Sequence, residues 1–168
     1  LEYLRNITIF HAKMRLYIIR HAAAEQGNYH KDFHRVLRTK GQQQLPKMSR
    51  FILRHPPKQL AAYCSTSQRT KQTYEGIKLG LNNESITFHD ELYHASLQDL
   101  LDFIWGCDTQ GKDVAIIGHN PGLSALATYF SGEEIFLRTG GIVVLEFPFE
   151  SVRELSQDSG EITDKQRC

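Results

Sequence analysis

Little in this 168-residue sequence points to cross-links, membranes or polyanions. Its three cysteines, Cys64, Cys107 and Cys168, are odd in number and include no CxxC pair. A disulfide framework is therefore not expected, and the thiols read as free in a reducing compartment. No apolar run approaches the roughly 20 residues that a membrane-spanning helix needs. Twenty Lys and Arg against nineteen Asp and Glu leave a formal charge of +1. That balance gives no overall field for nucleic acid or an anionic membrane, so any anion must be held by a local cluster. No glycine-rich Walker or dinucleotide fingerprint occurs, and no cofactor is implied. The opening stretch LEYLRNITIFHAK lacks the basic start, clean apolar run and cleavage site of a secretory signal. It reads as an appendage of residues 1–13, and the cytoplasm is the default location.

What is present suits one domain of ordinary size, with 40% hydrophobic residues available for a core. Strand candidates are RLYII at 15–19, LAAYC at 60–64, a brief one at 86–88, VAII at 114–117 and IVVLEF at 142–147. Between them lie helical patterns. Thr39 and Gln42 form a candidate capping box before Leu45, Met48 and Ile52, and Pro56-Pro57 stops that helix. Ser67 can cap a second helix running to about Gly80. Ser96 and Asp99 open a third, and Asn120-Pro121 a fourth, with Asn120 as cap and Pro121 in first position. Residues 22–38 read as a loop, and residues 150–168 as a polar tail after a domain spanning 14–149. Strands alternating with helices predict an α/β domain with a largely parallel sheet. Such sheets place ligands beyond the carboxyl ends of their strands. Arg20-His21, the Ser65–Arg69 turn and Gly118-His119 all follow strands and converge on that edge.

Each of these corners is commonplace alone; the set is specific. YIIRHAAAE at 17–25, DFHRVLRTKGQQQ at 32–44, CSTSQRTKQT at 64–73 and IIGHNPGL at 116–123 resemble, in order and spacing, the blocks of the histidine phosphatase superfamily. The likeness is greatest to the SixA-type phosphohistidine phosphatases, and RTGGIVVLEF at 138–147 looks like that branch's last strand. The resemblance implies a three-layer α/β/α sandwich with a mostly parallel central sheet, similar to phosphoglycerate mutase. Two departures stand out. Ala22 replaces the glycine of the usual Arg-His-Gly, so the backbone there should be ordinary. Thr66 and Lys71 stand where proline and alanine are usual. Neither removes a reacting group.

The resemblance implies roles that suit the residue types. Arg20 and Arg69 would grip the phosphoryl oxygens with planar guanidinium forks. His21 would attack phosphorus and carry the phosphoryl group until water splits it off. His119 would donate to an oxygen as charge develops. Arg35 would add a phosphate contact. Related enzymes take a general acid from the region after the third strand, where Asp90 and Glu91 stand; Glu91 is favoured by its place before Leu92-Tyr93. The implied substrate is a phosphorylated protein, with phosphohistidine as the target. A small phosphorylated metabolite, or phosphate recognition without turnover, is the alternative.

Two rival chemistries are weaker. Cys64 and Arg69 are separated by four residues without glycine, whereas a cysteine phosphatase loop needs five and a glycine. Cys64 fits better as the small apolar end of a strand. His30 and His34 share helical spacing, and His89 and His94 lie near carboxylates. Neither set has a third ligand at recognisable spacing, so no metal site is expected.

Overall fold

A computed structural model of the chain describes residues 13–27, 29–82 and 86–167. The expected appendage lies almost wholly outside them. Six strands form one sheet: β1 (Met14–Arg20), β2 (Leu60–Ser65), β3 (Ile86–His89), β4 (Asp113–Gly118), β5 (Ile142–Phe147) and β6 (Glu161–Gln166). Four helices connect them: α1 (Thr39–Arg54), α2 (Gln68–Leu81), α3 (Leu97–Gly106) and α4 (Gly122–Ser131). The strand order is β3-β2-β4-β1-β5-β6. The first four strands are parallel neighbours, and β5 and β6 add antiparallel on the β1 side.

Side-chain alternation in β1 shows why the domain has three layers. Leu16 and Ile18 face one core with Leu100, Ile104, Leu126 and Phe130 of α3 and α4. Tyr17 and Ile19 face the other, with Met48, Phe51, Ile52 and Ile77 of α1 and α2. All four β1 residues are fully buried. A strand covered on both faces needs apolar residues at every position, which is why RLYII and VAII read as nearly unbroken runs.

Three local expectations are corrected. Thr39 is the first residue of α1 rather than its cap; Arg38 holds the cap position, and no side chain closes that end. Ser67 does cap α2, but its hydroxyl bonds Thr70 instead of a backbone amide. Pro121, not Asn120, precedes α4 as its cap. Asn120 is used elsewhere: its amide donates to Leu137 O at 2.7 Å, and its oxygen accepts from Ser124 Oγ at 3.0 Å. The capping box of Ser96 and Asp99 forms in full.

The polar tail is also corrected. Val152 and Leu155 are buried, Trp105 Nε1 donates to Leu155 O at 3.0 Å, and residues 161–166 pair with β5 as strand β6. An edge strand is held by backbone hydrogen bonds and can be polar on both faces, so its hydropathy carries no signal. The segment 22–38 is less open than a loop, containing a 3₁₀ turn (Tyr29–His34) and an antiparallel bridge between Ala24 and Leu37.

Candidate active site

Register brings the three expected corners together. Arg20 at the end of β1 pairs with Gly118 at the end of β4, and the amide of His21 donates to Gly118 O at 3.2 Å. Behind His21, buried Gln44 of α1 accepts from Ala23 N at 2.8 Å and donates to Thr139 O at 2.8 Å. Gly140, at φ +74°, turns there so that its amide reaches His21 O at 2.9 Å. A side chain would disfavour that left-handed backbone. Ala22 has no positive φ, as its β-carbon demands.

The core of the site is two imidazoles and one guanidinium. The His21 and His119 rings lie 5.2 Å apart, and both are buried. His21 Nδ1 lies 2.8 Å from Ala22 O. A carbonyl only accepts, so that nitrogen carries the proton and Nε2 keeps the lone pair. Arg69, fully buried in the first turn of α2, donates Nε–H to that Nε2 at 3.3 Å and Nη2–H to Nδ1 of His119 at 3.3 Å. His119 therefore carries its proton on Nε2, 2.9 Å from Ser65 Oγ at the end of β2. Burial and the Arg69 and Arg20 charges lower the pKa of His21 to about 3. Burial, with His21 and Arg69 beside it, lowers that of His119 to about 2. Both rings are neutral at physiological pH.

The other expected residues are placed unequally. Arg20 donates Nη1–H to Leu137 O at 2.8 Å, while its Nε is buried without a hydrogen-bond partner among the described residues. Arg35 reaches the cluster through Asp32, at 2.5 Å from Oδ1. Glu91 is not brought in: its side chain is 72% exposed and lies 3.8 Å from His89. Cys64 is fully buried, and burial pushes its thiol up to about 12, which leaves no thiolate nucleophile.

The sequence assigns Asp32, Tyr93 and His94 no place in the phosphoryl site, and His94 is weighed from sequence only as a metal ligand. Asp32 Oδ2 accepts from Arg69 Nη2 at 3.0 Å, from the Tyr93 hydroxyl at 2.5 Å and from His94 Nε2 at 2.9 Å. Its backbone carbonyl takes Arg69 Nη1 at 2.6 Å. Burial pushes the Asp32 carboxyl up, but the Tyr93 and His94 hydrogen bonds and the two arginines outweigh it and hold it well below the usual range. His94 stacks on His119 at 5.1 Å between centroids. The sequence signal for Asp32 is its place at the head of the DFHRVLRTKGQQQ block, three residues before Arg35, and a loop carboxylate there is commonplace. Among the described residues, no group of three or more His, Cys, Asp or Glu is placed to hold a metal ion. Nor is any helix among them long and apolar enough to cross a membrane.

Buried neutral imidazoles and guanidinium donors gathered at the ends of β1, β2 and β4 suit the handling of phosphoryl groups, and sequence comparison agrees. The family model of the histidine phosphatase superfamily (branch 1) matches residues 16–100, just over half of the chain. The chain belongs to that superfamily, and its class is that of the phosphatases. Among solved structures, it resembles a protein assigned as the phosphohistidine phosphatase SixA from Nakamurella multipartitia, with TM-score 0.80 and 22% identity over 92% of this chain and 96% of that one. The corresponding protein from Agrobacterium tumefaciens gives 0.75 and 24% over 92% and 98%. A mycobacterial glucosyl-3-phosphoglycerate phosphatase gives 0.63 and 10% over 93% and 100%. These likenesses establish a shared fold. No curated protein sequence matches the chain.

Proposed function

We propose that this protein is a phosphohistidine phosphatase that transfers the phosphoryl group from a phosphorylated protein to Nε2 of His21. The observation that carries the reading is the state of His21: buried, neutral, and held by Ala22 O in the tautomer whose lone pair lies on Nε2 beside Arg69. A structural histidine has no need of a lone pair held against a cation. Phosphoryl transfer does, because the attacking nitrogen must be unprotonated while the group it attacks sits among positive donors.

In the reaction, Arg20 and Arg69 hold the phosphoryl oxygens, and Arg20 Nε is a buried donor with no hydrogen-bond partner among the described residues. As Arg69 turns its N–H groups to the dianion, Nδ1 of His119 is released. The negative charge favours a proton there, and that proton is donated to an equatorial oxygen. Water later cleaves the P–N bond and His21 is regenerated. A protein substrate is supported by the mouth of the site, where the His94 side chain is 49% exposed and Phe33 lies at the surface. Small metabolites generally need more enclosure. The second reading, a small-metabolite phosphatase, is supported by the glucosyl-3-phosphoglycerate phosphatase on the same fold.

The test sets a phosphohistidine-bearing protein beside a panel of phosphorylated metabolites. Expected are preferential turnover of the protein substrate and an alkali-stable, acid-labile phosphate mapped to His21 by mass spectrometry. His21→Ala should show neither. Product release without any phosphoenzyme, under conditions that slow hydrolysis, would make direct attack by water the mechanism. Preference for one metabolite would replace the substrate assignment.

A further inference from the structure

Glu91, the leaving-group proton donor expected from the sequence, is exposed and lies beside His89 rather than within the cluster. We propose that His94, held by Asp32, supplies that proton and afterwards activates the hydrolytic water. The inference rests on the reading of His21 as nucleophile.

Geometry singles out His94. In-line attack by His21 expels the leaving group on the far side of phosphorus, toward solvent. Three imidazoles are linked by ring contacts, and the last of them is the exposed one. His21 and His119 are buried, their rings 5.2 Å apart, and His94 stacks on His119 at 5.1 Å with half of its side chain exposed. His119 is tied to Ser65 through one nitrogen and faces the guanidinium of Arg69 with the other. The Tyr93 hydroxyl gives its proton to Asp32. His94 commits Nε2, which donates to Asp32 Oδ2 at 2.9 Å. Nδ1 is left to exchange a proton with the substrate, and the carboxylate supplies a counter-charge while the ring holds two protons. A histidine whose second nitrogen is oriented by a carboxylate is a recurring arrangement for proton transfer.

The backbone is consistent with a demanded position. His94 has φ +53°, a left-handed conformation that a residue with a β-carbon disfavours. Its neighbours hold it there. Leu92 and Ala95 are buried, and Ala95 O lies so close to Gly122 of α4 that any β-carbon at 122 would collide with it.

The steps balance. His21 Nε2 forms the P–N bond as the bond from phosphorus to the leaving atom breaks, and that atom's electron pair takes the proton from His94 Nδ1. Neutral His94 then removes a proton from water as its oxygen attacks phosphorus. The P–N electron pair returns to His21, and phosphate departs. An acid so placed serves oxygen leaving groups as well as imidazole, which brings phosphate monoesters within the substrate class.

The test is the leaving-group dependence of phosphoryl transfer to His21, measured in single turnovers on aryl phosphates from 4-nitrophenyl to phenyl phosphate. His94→Asn is the variant of choice, since asparagine tolerates a left-handed backbone. It should lose on the order of 100-fold on phenyl phosphate, whose leaving group needs the proton, and far less on 4-nitrophenyl phosphate. Asp32→Asn should steepen the dependence in the same direction by a smaller amount. Equal losses across the series overturn the assignment of His94 when wild type forms phosphohistidine. If wild type forms none from any ester yet forms it from a phosphohistidine-bearing protein, the proposal falls while the nucleophile reading stands; if it forms none from either, both fall. Should His94→Asn fail to fold, an unchanged dependence in Asp32→Asn overturns the proposal.

Discussion

Arg69 donates its Nε–H to the lone pair of His21 Nε2 across 3.3 Å, from a side chain with no solvent exposure. One guanidinium thus marks the attacking atom, bridges to His119 and closes on Asp32. Four of its five N–H groups are engaged, so its fork geometry matters as much as its charge.

Arg69→Lys keeps the charge and loses the fork. It is expected to lower kcat/KM by roughly 100- to 1,000-fold, the scale for removing one donor to transition-state charge. Steady-state kinetics on any accepted substrate checks this, with circular dichroism to confirm folding. Wild-type activity in the lysine variant would mean that position 69 contributes net charge alone.

Asp32 places a carboxylate on the same guanidinium that an oxyanion would use. Asp32→Asn should therefore bind tungstate, a phosphate analogue, about tenfold more tightly, equivalent to about 1.4 kcal/mol. Calorimetric titration reads the affinity directly. Weaker binding in the variant would show that Asp32 serves mainly to hold Arg69 in position.

Acid should destabilise the fold through His21 and His119. Their folded pKa values, about 3 and about 2, lie below the ordinary 6.5, so between pH 6.5 and about 3 the unfolded chain holds more protons than the folded one. Stability then falls as pH falls, by up to roughly 1.4 kcal/mol per pH unit for each ring. Asp32, also depressed, adds to the loss only below its ordinary 3.8. Urea midpoints measured from pH 7 to pH 4 should drop steadily, and His119→Ala should flatten the slope. By the same argument, protonation of His21 should limit kcat/KM of the free enzyme only toward pH 3, well below 6.5.

Cys64 lies in β2 with no exposure, and its thiol is pushed up to about 12 by burial. Iodoacetamide at neutral pH should therefore leave turnover intact. Cys64→Ala should also turn over, with stability lower by about 1 kcal/mol from lost buried volume. Inactivation by the reagent that the alanine variant escapes would reopen a thiol-based mechanism.

The strands and helices are legible because their burial is written in periodicity. RLYII and VAII are apolar at nearly every position since both faces of β1 and β4 are covered, and the Ser96–Asp99 box is visible because its partners are three residues apart. Strand β6 is not legible. Its alternation of Glu161, Thr163 and Lys165 with Ile162, Asp164 and Gln166 offers no apolar face, and what holds it is the backbone of β5.

The same division runs through the site. The sequence by itself determined which cationic and imidazole side chains stand at strand ends, because each of Arg20, His21, Arg69 and His119 lies in a short motif after a recognisable strand. Tertiary structure alone decided how they meet. The tautomer of His21 depends on a neighbouring carbonyl, and the low pKa values depend on burial. Asp32 and His94, 62 positions apart, become partners only when the 22–38 segment and the turn before α3 close over one strand edge. Hydrogen bonds between such distant residues leave no local pattern, because their energy depends on the distance between atoms in space and not on separation along the chain.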